Sequence, residues 1–198
     1  PERTLDGMAT NLAENAPSLF CHLLPEISET AHKYARGSVG VFTGETTSTG
    51  AARLAAIAAQ RAGAGAVTLI APDDSLGVLS ANVTAAMIRT ATSVTDLEPL
   101  LDGGKFSAFI IGPGFGRFRA LKDFVLALLE PAHAKPTILD ADVFSAFAFE
   151  GEELFAAIKG AKQPVILTPH AGEFARIFPD LSENPDLAKH EKARMAAE

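Results

Sequence analysis

Short apolar runs alternate with longer segments of mixed polarity from about residue 38 onward. These β-prone runs predict strands at 38–43, 67–70, 87–91, 106–111, 137–139 and 165–168. Because the runs are apolar throughout rather than alternating, helices should cover both faces of the sheet that they form. The pattern therefore predicts a three-layer α/β/α fold with a mostly parallel central sheet.

Helices are predicted between the strands, at 51–62, 76–79 and 121–129, with a further one beginning at Val143. In the first of these helices, Arg53, Gln60 and Arg61 are the only polar residues. They fall on one narrow face, so we expect the helix to be mostly buried. Residues 189–195 are polar, show no capping signal and predict an unfinished helix.

The first 31 residues differ from the rest of the chain. They carry Pro17, Pro25 and several acidic residues without a sustained period, which is typical of a linker or arm. Residues 32–198 are predicted to form one domain, since the length suffices for a single substantial core. The sequence begins with Pro1 and stops within the polar helix, so we expect a piece of a longer protein, with the C-terminal part of the domain missing.

Composition narrows the classes of function. Hydrophobic residues make up 47% of the chain and charged residues 21%, as in soluble globular proteins. The net charge of −7 argues against a nucleic-acid partner, which would require a basic surface. No apolar run is long enough to span a membrane and no export signal opens the chain, so we expect no membrane partner and a cytoplasmic location. The single cysteine, Cys21, lies beside His22 in the arm and is expected to be an inert thiol.

Four polar or glycine-rich segments directly follow predicted strands, at 44–50, 112–116, 140–142 and 168–173. In an open parallel sheet, ligands bind outside the carboxyl ends of the strands. These segments should therefore meet at one edge of the sheet, and this convergence is the main functional signal in the sequence.

The segment at 44–50 leads into a predicted helix. Ser48 or Thr49 is a candidate N-cap, and Gly50 would let the backbone approach an anion at the helix N-terminus. A capped helix start without a ligand explains the same residues equally well. The segment matches neither a P-loop nor a dinucleotide fingerprint.

The segment at 112–116 reads Gly-Pro-Gly-Phe-Gly. Glycines around a proline form a rigid loop whose backbone can lie against a flat or phosphorylated ligand. The alternative is a tight turn between strand and helix, but a plain turn rarely requires three glycines. We therefore favour a ligand site that includes Gly114.

Acidic and imidazole groups follow the last two strands. We predict that Asp142 caps the next helix and that Asp140, at the strand tip, faces a ligand. His170 and Glu173 could hold a polar substrate or a hydrated metal, or could simply begin a helix. Lys33 is a candidate for contact with a phosphate, although a solvated lysine is equally compatible with its position.

Taken in order, five motifs closely resemble those of the ADP- or ATP-dependent NAD(P)H-hydrate dehydratases, which are metabolite-repair enzymes of the ribokinase-like superfamily. The motifs are His32-Lys33-Tyr34, Thr49-Gly50-Ala51-Ala52, Gly-Pro-Gly-Phe-Gly at 112–116, Leu139-Asp140-Ala141-Asp142 and Leu-Thr-Pro-His-Ala-Gly-Glu at 167–173. The resemblance covers residues 32 to about 180 and implies a ribokinase-like fold.

The resemblance also implies an activity. Family members dehydrate the S-epimer of hydrated NADH or NADPH and cleave ADP or ATP in each turnover, with Mg²⁺; we expect ADP to be favoured, as in bacterial relatives. By the same resemblance, the substrate-binding residues are Gly50, Ala51, Gly114, Asp140 and His170. Glu173 is implied as a ligand of Mg²⁺. In many bacteria this domain follows an epimerase domain, so residues 1–31 resemble a linker from such a parent.

One departure from the family pattern matters. Members continue with a Lys-Gly loop that holds the nucleotide and a Gly-Thr-Gly-Asp segment with the catalytic aspartate, and neither follows the last of these motifs here, where the only later lysines, Lys189 and Lys192, have no adjacent glycine. We therefore expect that aspartate beyond Glu198 and expect these 198 residues alone to be inactive. Two alternatives remain: a vitamin-precursor kinase of the same superfamily, and a non-catalytic binding module. The apolar composition also favours a homo-oligomer.

Overall fold

The structure, a computed structural model, describes residues 13–26, 30, 32–116 and 119–198, the last range without the side chain of Arg119. The chain divides into two compact units, Pro1–Ala31 and His32–Glu198. The described part of the first unit contains helix α1 (Pro17–Phe20), followed by a 3-10 helix at Cys21–Leu23. Cys21 is exposed. The site and its neighbours all belong to the second unit.

The second unit is built on a six-stranded sheet. Its strands are β1 (Ser38–Phe42), β2 (Ala66–Ala71), β3 (Met87–Thr90), β4 (Ala108–Ile111), β5 (Thr137–Leu139) and β6 (Val165–Leu167). The spatial order is β3-β2-β1-β4-β5-β6, and every neighbouring pair is parallel. The predicted parallel sheet is confirmed, and the predicted strand at 106–111 begins two residues later than expected.

Helices connect and follow these strands. They are α2 (Thr49–Arg61), α3 (Leu76–Asn82), α4 (Val94–Asp102), α5 (Arg119–Leu129), α6 (Asp142–Ala146), α7 (Gly151–Gly160), α8 (Ala171–Ile177), α9 (Pro179–Glu183) and α10 (Lys189–Ala197). No helix within the described residues is long and apolar enough to cross a membrane. Helix α4 had no counterpart in the sequence prediction.

Adjacent residues of β1 belong to separate cores. Val41 packs with Ala52 and Ala56 of α2, whereas Phe42 packs with a cluster that includes Phe124 of α5. Both Val41 and Phe42 are fully buried. Because successive side chains of a strand point to opposite faces, the sheet has a core on each side. The predicted three layers are thereby confirmed.

The prediction that helix α2 is mostly buried is wrong. Only Thr49, Ala52 and Ala56 of this helix are buried, whereas Leu54 is 69% and Ile57 49% exposed. The buried residues recur every three or four positions and form a single stripe against β1 and β2. A helix on the outer layer buries one stripe, so the apolar residues on its outer face, such as Leu54 and Ile57, stay exposed.

The C-terminal helix also departs from expectation. The sequence predicted no capping signal, but Glu191 Oε2 accepts a hydrogen bond of 2.8 Å from the backbone N–H of Ala188, just before α10. This contact is the carboxylate half of a capping box. It was missed because the residue that usually supplies the other half, a serine or threonine, is an alanine here.

Candidate functional site

The strand order creates a crevice at one place in the sheet. From β1 the chain moves outward to β2 and β3, and then returns to add β4 on the other side of β1. A reversal of this kind separates the loops that leave β1 and β4, and ligands bind there, outside the carboxyl ends of the strands. All four segments singled out in the sequence follow strands of this parallel sheet and so lie at the same edge.

The loop after β4 lies against the start of helix α2. Gly114 has φ of +63°, and a Cβ atom there would overlap the carbonyl oxygen of Ser48 and lie 3.8 Å from Cβ of Ala51. Only glycine fits this close approach without displacing the backbone. Gly114 and Ala51, which are 63 residues apart in sequence (114 − 51), are thus neighbours.

The same loop also meets the tip of β5. Gly112 has φ of +118°, and a Cβ atom there would overlap the carbonyl oxygen of Asp140. The glycines at 112 and 114 therefore let one loop contact both of its neighbours, and the loop forms the centre of the candidate site.

The start of helix α2 is open. Ser48 occupies the N-cap position, as the sequence allowed, but its hydroxyl donates to the carbonyl oxygen of Glu45 (3.1 Å) and does not cap the helix. Gly50 is exposed, and a Cβ atom there would have no described neighbour within 4 Å. The first N–H groups of a helix lack intrahelical partners and attract anions. No side chain among the described residues caps these N–H groups in α2.

Asp140 and Asp142 have different partners. Asp140 Oδ1 accepts a hydrogen bond of 2.8 Å from Oγ1 of Thr168, which follows β6. Asp142 Oδ2 accepts one of 2.8 Å from the backbone N–H of Gly116. The prediction that Asp142 caps the next helix is wrong: Asp142 is already the first residue of α6, and its carboxylate holds the glycine-rich loop instead.

The residue between these two aspartates is strained. Ala141 has φ 48° and ψ −108°, and it is the only non-glycine residue with positive φ in the described part of the chain. Such a conformation costs about 1–3 kcal/mol and persists where the surroundings enforce it. On either side of this turn, the two carboxylates have partners in different segments, Thr168 after β6 and Gly116 after β4.

His170 and Glu173 form a capping box at the start of α8. His170 Nδ1 accepts hydrogen bonds from the N–H groups of Gly172 (3.0 Å) and Glu173 (3.3 Å), while Nε2 lies 3.1 Å from Glu173 Oε1. Because Nδ1 accepts both hydrogen bonds, Nε2 is the ring nitrogen that carries the hydrogen, and it lies beside the carboxylate. The imidazole is nevertheless 68% exposed and can contact a ligand.

Glu173 has little capacity left for a metal ion. Its Oε2 accepts a hydrogen bond of 2.9 Å from the backbone N–H of His170, and Oε1 faces the imidazole. Among the described residues, no group of three or more histidine, cysteine, aspartate or glutamate side chains could hold a metal. In this arrangement Glu173 acts as a helix cap, and its predicted role as a ligand of Mg²⁺ stays a prediction.

Lys33 does not join the site. It lies in a 3-10 helix at Lys33–Arg36 that precedes β1 and contacts β2, which places it near the amino ends of the strands. Its Nζ makes a cation–π contact with the ring of Tyr34, 5.2 Å from the centroid. Lys33 therefore lies at the edge opposite the candidate site, and its suggested contact with a phosphate stays a prediction.

A cavity beside the crevice had no counterpart among the sequence predictions. It has a volume of about 480 Å³ and is lined in part by residues that follow β2 and β3, among them Asp73 and Thr92. The rule used for the other segments applies equally to these two strands. Their loops lack multiple glycines, so no local motif marked them as ligand-binding.

The start of helix α4, next to this cavity, carries a firmly ionised carboxylate. Asp96 accepts hydrogen bonds from the backbone N–H and hydroxyl of Thr92 and of Ser93, at 2.8–3.0 Å. The backbone hydrogen bond from Thr92, followed by those from the Thr92 and Ser93 hydroxyls, lowers the pKa of Asp96 from 3.8 to about 2. The site therefore has a permanent negative charge at this end.

Comparison with known proteins gives a consistent result. A family model described as NAD(P)H-hydrate dehydratase matches residues 39–198. A bifunctional NAD(P)H-hydrate repair enzyme of Moorella thermoacetica is 37% identical over 163 residues, which are 78% of this chain and 30% of that protein. An ADP/ATP-dependent NAD(P)H-hydrate dehydratase from Bacillus subtilis, co-crystallized with ATP/Mg²⁺, has a TM-score of 0.58 and 26% identity, covering 79% of this chain and 52% of that one.

A further crystal structure bears on the fold alone. A ribokinase-like superfamily protein from Enterococcus faecalis superimposes with a TM-score of 0.67 at 22% identity, covering 85% of this chain and 58% of that one. The predicted ribokinase-like fold is confirmed. The chain spans between 30% and 58% of the length of these three proteins.

Proposed function

Because the chain belongs to the NAD(P)H-hydrate dehydratase family, we propose that it forms the dinucleotide side of a site that dehydrates the S-epimer of hydrated NADH or NADPH. The nucleotide co-substrate is ADP or ATP, with ADP favoured. One observation carries the proposal: the loop at 112–116 contacts both the open start of α2 and the tip of β5. This brings Ala51, Gly114 and Asp140 into one contiguous surface.

Each part of that surface suits a different part of the substrate. The open N-terminus of α2, at Gly50 and Ala51, offers N–H groups to the pyrophosphate. Gly114 has no side chain, so the backbone of this loop can approach a ring closely. Asp140 and His170 are the polar side chains at the tips of β5 and after β6, and they suit the hydroxyl and carboxamide of the hydrated nicotinamide.

The reaction requires a better leaving group than hydroxide. Transfer of a phosphoryl group from the nucleotide to the ring hydroxyl makes phosphate the leaving group. The C–O bond then breaks, a proton is lost from the adjoining ring carbon, and the double bond of the reduced nicotinamide is restored. Mg²⁺ would neutralise charge on the nucleotide phosphates. The chain contributes orientation of the dinucleotide, which supplies much of the rate enhancement in such reactions.

We also propose that the protein is a homo-oligomer. Leu54 and Ile57 give the outer face of α2 an exposed apolar character, which a second copy would bury. Light scattering coupled to size-exclusion chromatography would test this, with Leu54→Gln expected to shift the population toward the monomer. An unchanged oligomer in that variant would place the interface elsewhere. The cytoplasmic location stays a prediction.

The proposed function is tested with hydrated NADH and the 198-residue chain, with the Bacillus subtilis dehydratase as a positive control for turnover. We expect the chain to bind hydrated NADH in calorimetry and to show no turnover with ADP or ATP, because no Lys-Gly pair follows Glu173 and the sequence has no Gly-Thr-Gly-Asp segment. Failure to bind hydrated NADH would contradict the proposal. Phosphorylation of a stable alcohol would instead identify a small-molecule kinase.

A further inference from the structure

The cavity beside the crevice has the size and lining of a small-molecule site. Its volume of about 480 Å³ lies in the range of roughly 300–1,000 Å³ that is usual for ligand pockets. The walls are mainly apolar and include Ile70, Phe115 and Phe124, whereas the charged groups lie in the loops after β1 and β2. A flat heteroaromatic ring would fit between such walls.

A buried hydroxyl without a partner lines this cavity. Thr43 directly follows β1 and is 0% exposed, and its Oγ1 has no hydrogen-bond partner among the described residues. An unsatisfied buried hydroxyl costs about 1–3 kcal/mol. Neighbouring Ser75, also fully buried, is satisfied because it donates to the carbonyl oxygen of Gly44 at 2.8 Å. The unsatisfied hydroxyl of Thr43 therefore suits a polar atom of a ligand.

The cavity is continuous with the candidate site. Gly44 and Phe115 line it, and they belong to the same two loops that bring Ser48 and Gly114 together. A second, polar hollow of about 390 Å³ adjoins it and shares Asp73, Ala91 and Thr92. An extended ligand over Ala51 and Gly114 would therefore reach the cavity through these loops.

Asp73 lies where the two hollows meet. It follows β2, it is exposed, and its carboxylate has no hydrogen bond or ion pair with any described residue. The adjacent Asp74 differs, since its Oδ1 lies 3.2 Å from Ser75 Oγ within the same loop. The charged side chains among the described lining residues are all acidic: Glu45, Asp73, Asp74 and Asp96.

We propose that this cavity receives the adenosine half of the dinucleotide and that Asp73 accepts a hydrogen bond from the ribose 2′-hydroxyl, so that the site takes hydrated NADH in preference to hydrated NADPH. The inference rests on the proposed function, because it assumes a dinucleotide substrate. Dinucleotide-binding sheets with the strand order seen here also place the acidic residue that binds this hydroxyl after the second strand.

Charge determines the preference. A 2′-phosphate beside Asp73 would face the carboxylates of Asp74 and Asp96 as well, with no described lysine or arginine in the lining to pair with it. Like charges at such a site oppose binding, whereas a hydroxyl gains a charge-assisted hydrogen bond. The adenine would lie between Ile70 and Phe115, near the hydroxyl of Thr43.

The test measures the affinities of the 198-residue chain for four stable probes by calorimetry: NAD⁺, NADP⁺, adenosine 5′-monophosphate and adenosine 2′,5′-bisphosphate. We expect each probe without the 2′-phosphate to bind at least about tenfold more tightly than its phosphorylated counterpart. Asp73→Asn should lower the affinity for NAD⁺ about tenfold and leave the affinity for NADP⁺ unchanged or higher. The ratio of the two affinities should then be near one. Asp180→Asn, which removes an exposed carboxylate of α9 outside the cavity lining, is the matched control and should change nothing.

A second variant tests the cavity itself. Ala120→Leu places a larger side chain in the cavity and should lower the affinities for adenosine monophosphate and NAD⁺ by about tenfold or more. Ala58→Leu, on the exposed face of α2, is the control and should leave both affinities unchanged. Three results would each overturn the inference. They are equal affinity of the wild type for NAD⁺ and NADP⁺, a ratio of these two affinities in Asp73→Asn like that of the wild type, and no binding of adenosine monophosphate to a folded chain. The repair function is judged separately, by binding of hydrated NADH and its loss in His170→Ala. If the wild type binds hydrated NADH and His170→Ala does not, but the cavity variants have no effect, only the adenosine assignment is overturned.

Discussion

The hydroxyl of Thr168 donates a hydrogen bond of 2.8 Å to Oδ1 of Asp140 and joins the tips of β5 and β6. These residues are 28 positions apart in sequence. The bond fixes one oxygen of the carboxylate, and the other has no partner among the described residues. Asp140 is therefore oriented by the protein while part of its carboxylate stays available to a ligand, which is what a substrate-positioning group requires.

This relationship predicts the effect of removing the donor. Thr168→Val keeps the shape of the side chain but loses the hydrogen bond, so we expect a loss of about 1 kcal/mol or less in the free energy of unfolding, since the site is exposed. Binding of hydrated NADH should weaken several-fold because Asp140 is no longer held. Urea denaturation and calorimetry measure the two effects. Thr168→Ser is the control and should restore both; a Val variant with unchanged affinity would argue that Asp140 does not contact the substrate.

The capping role of His170 can be separated from a role in binding. His170→Ala removes the acceptor for the first N–H groups of α8, and we expect a loss of about 0.5–2 kcal/mol in stability together with loss of ligand binding. Asparagine is a good N-cap residue, so His170→Asn should keep most of the stability. Binding of hydrated NADH should nevertheless remain impaired, since the imidazole is absent. If His170→Asn bound normally, the histidine would be a cap and nothing more.

The glycines at 50 and 114 should respond in opposite ways to alanine. Gly114→Ala introduces a Cβ atom that overlaps the carbonyl oxygen of Ser48 at a positive φ, so we expect a loss of at least about 1–3 kcal/mol in stability and weaker binding. Gly50→Ala meets no described atom in a helical position and should raise stability by about 0.5–1 kcal/mol.

Binding by the Gly50→Ala variant then becomes informative. If the pyrophosphate lies at the start of α2, the added methyl group should lower the affinity for hydrated NADH even though the fold is more stable. Gly77→Ala in α3, where a Cβ atom is equally unhindered, is the matched control and should leave affinity unchanged. Equal affinities for the two variants would remove α2 from the site.

Asp96 should make stability depend on acid pH. Its pKa is lowered to about 2 in the folded protein, below the ordinary value of 3.8, so ionisation favours the folded state. The contribution is complete above about pH 4 and is lost as the pH falls through about 2. Asp96→Asn should lower the melting temperature at neutral pH, and the difference from the wild type should shrink between pH 4 and 2. A difference that stays constant over that range would contradict this assignment.

A control for this pH effect lies on the same helix. Glu98→Gln also removes one negative charge from α4, but Glu98 makes no hydrogen bond with a described residue. Its melting temperature should follow that of the wild type across the same pH range. A parallel change in both variants would point to net charge rather than to the capping box.

The sequence predicted where the candidate residues lie in the fold better than it predicted their contacts. Asp140 and His170 could be placed at one edge because parallel strands have a fixed polarity, so the segment that follows each strand is at the same edge. Whether Asp142 caps α6 depends on where the helix begins, and a shift of one residue turned its carboxylate toward Gly116 instead. Such shifts are not encoded in local patterns.

Burial and cavities were least predictable. The apolar residues of α2 suggested a buried helix, yet Leu54 is exposed because burial depends on which elements pack nearby. The cavity beside Asp73 arises where the loops after four strands, β1 to β4, and helix α5 leave space, and no short motif reports such a gap. The spacing of residues along the sequence cannot reveal this cavity.

We propose that the segments after β1, β4, β5 and β6 act together as one dinucleotide site. An NMR titration of the 198-residue chain with hydrated NADH tests this proposal through the amide shifts of Ala51, Gly114, Asp140 and His170. All four should change together and saturate at a single dissociation constant, while amides at the opposite edge, such as that of Lys33, stay in place. Shifts confined to one tip, or centred on the amino ends of the strands, would contradict the account.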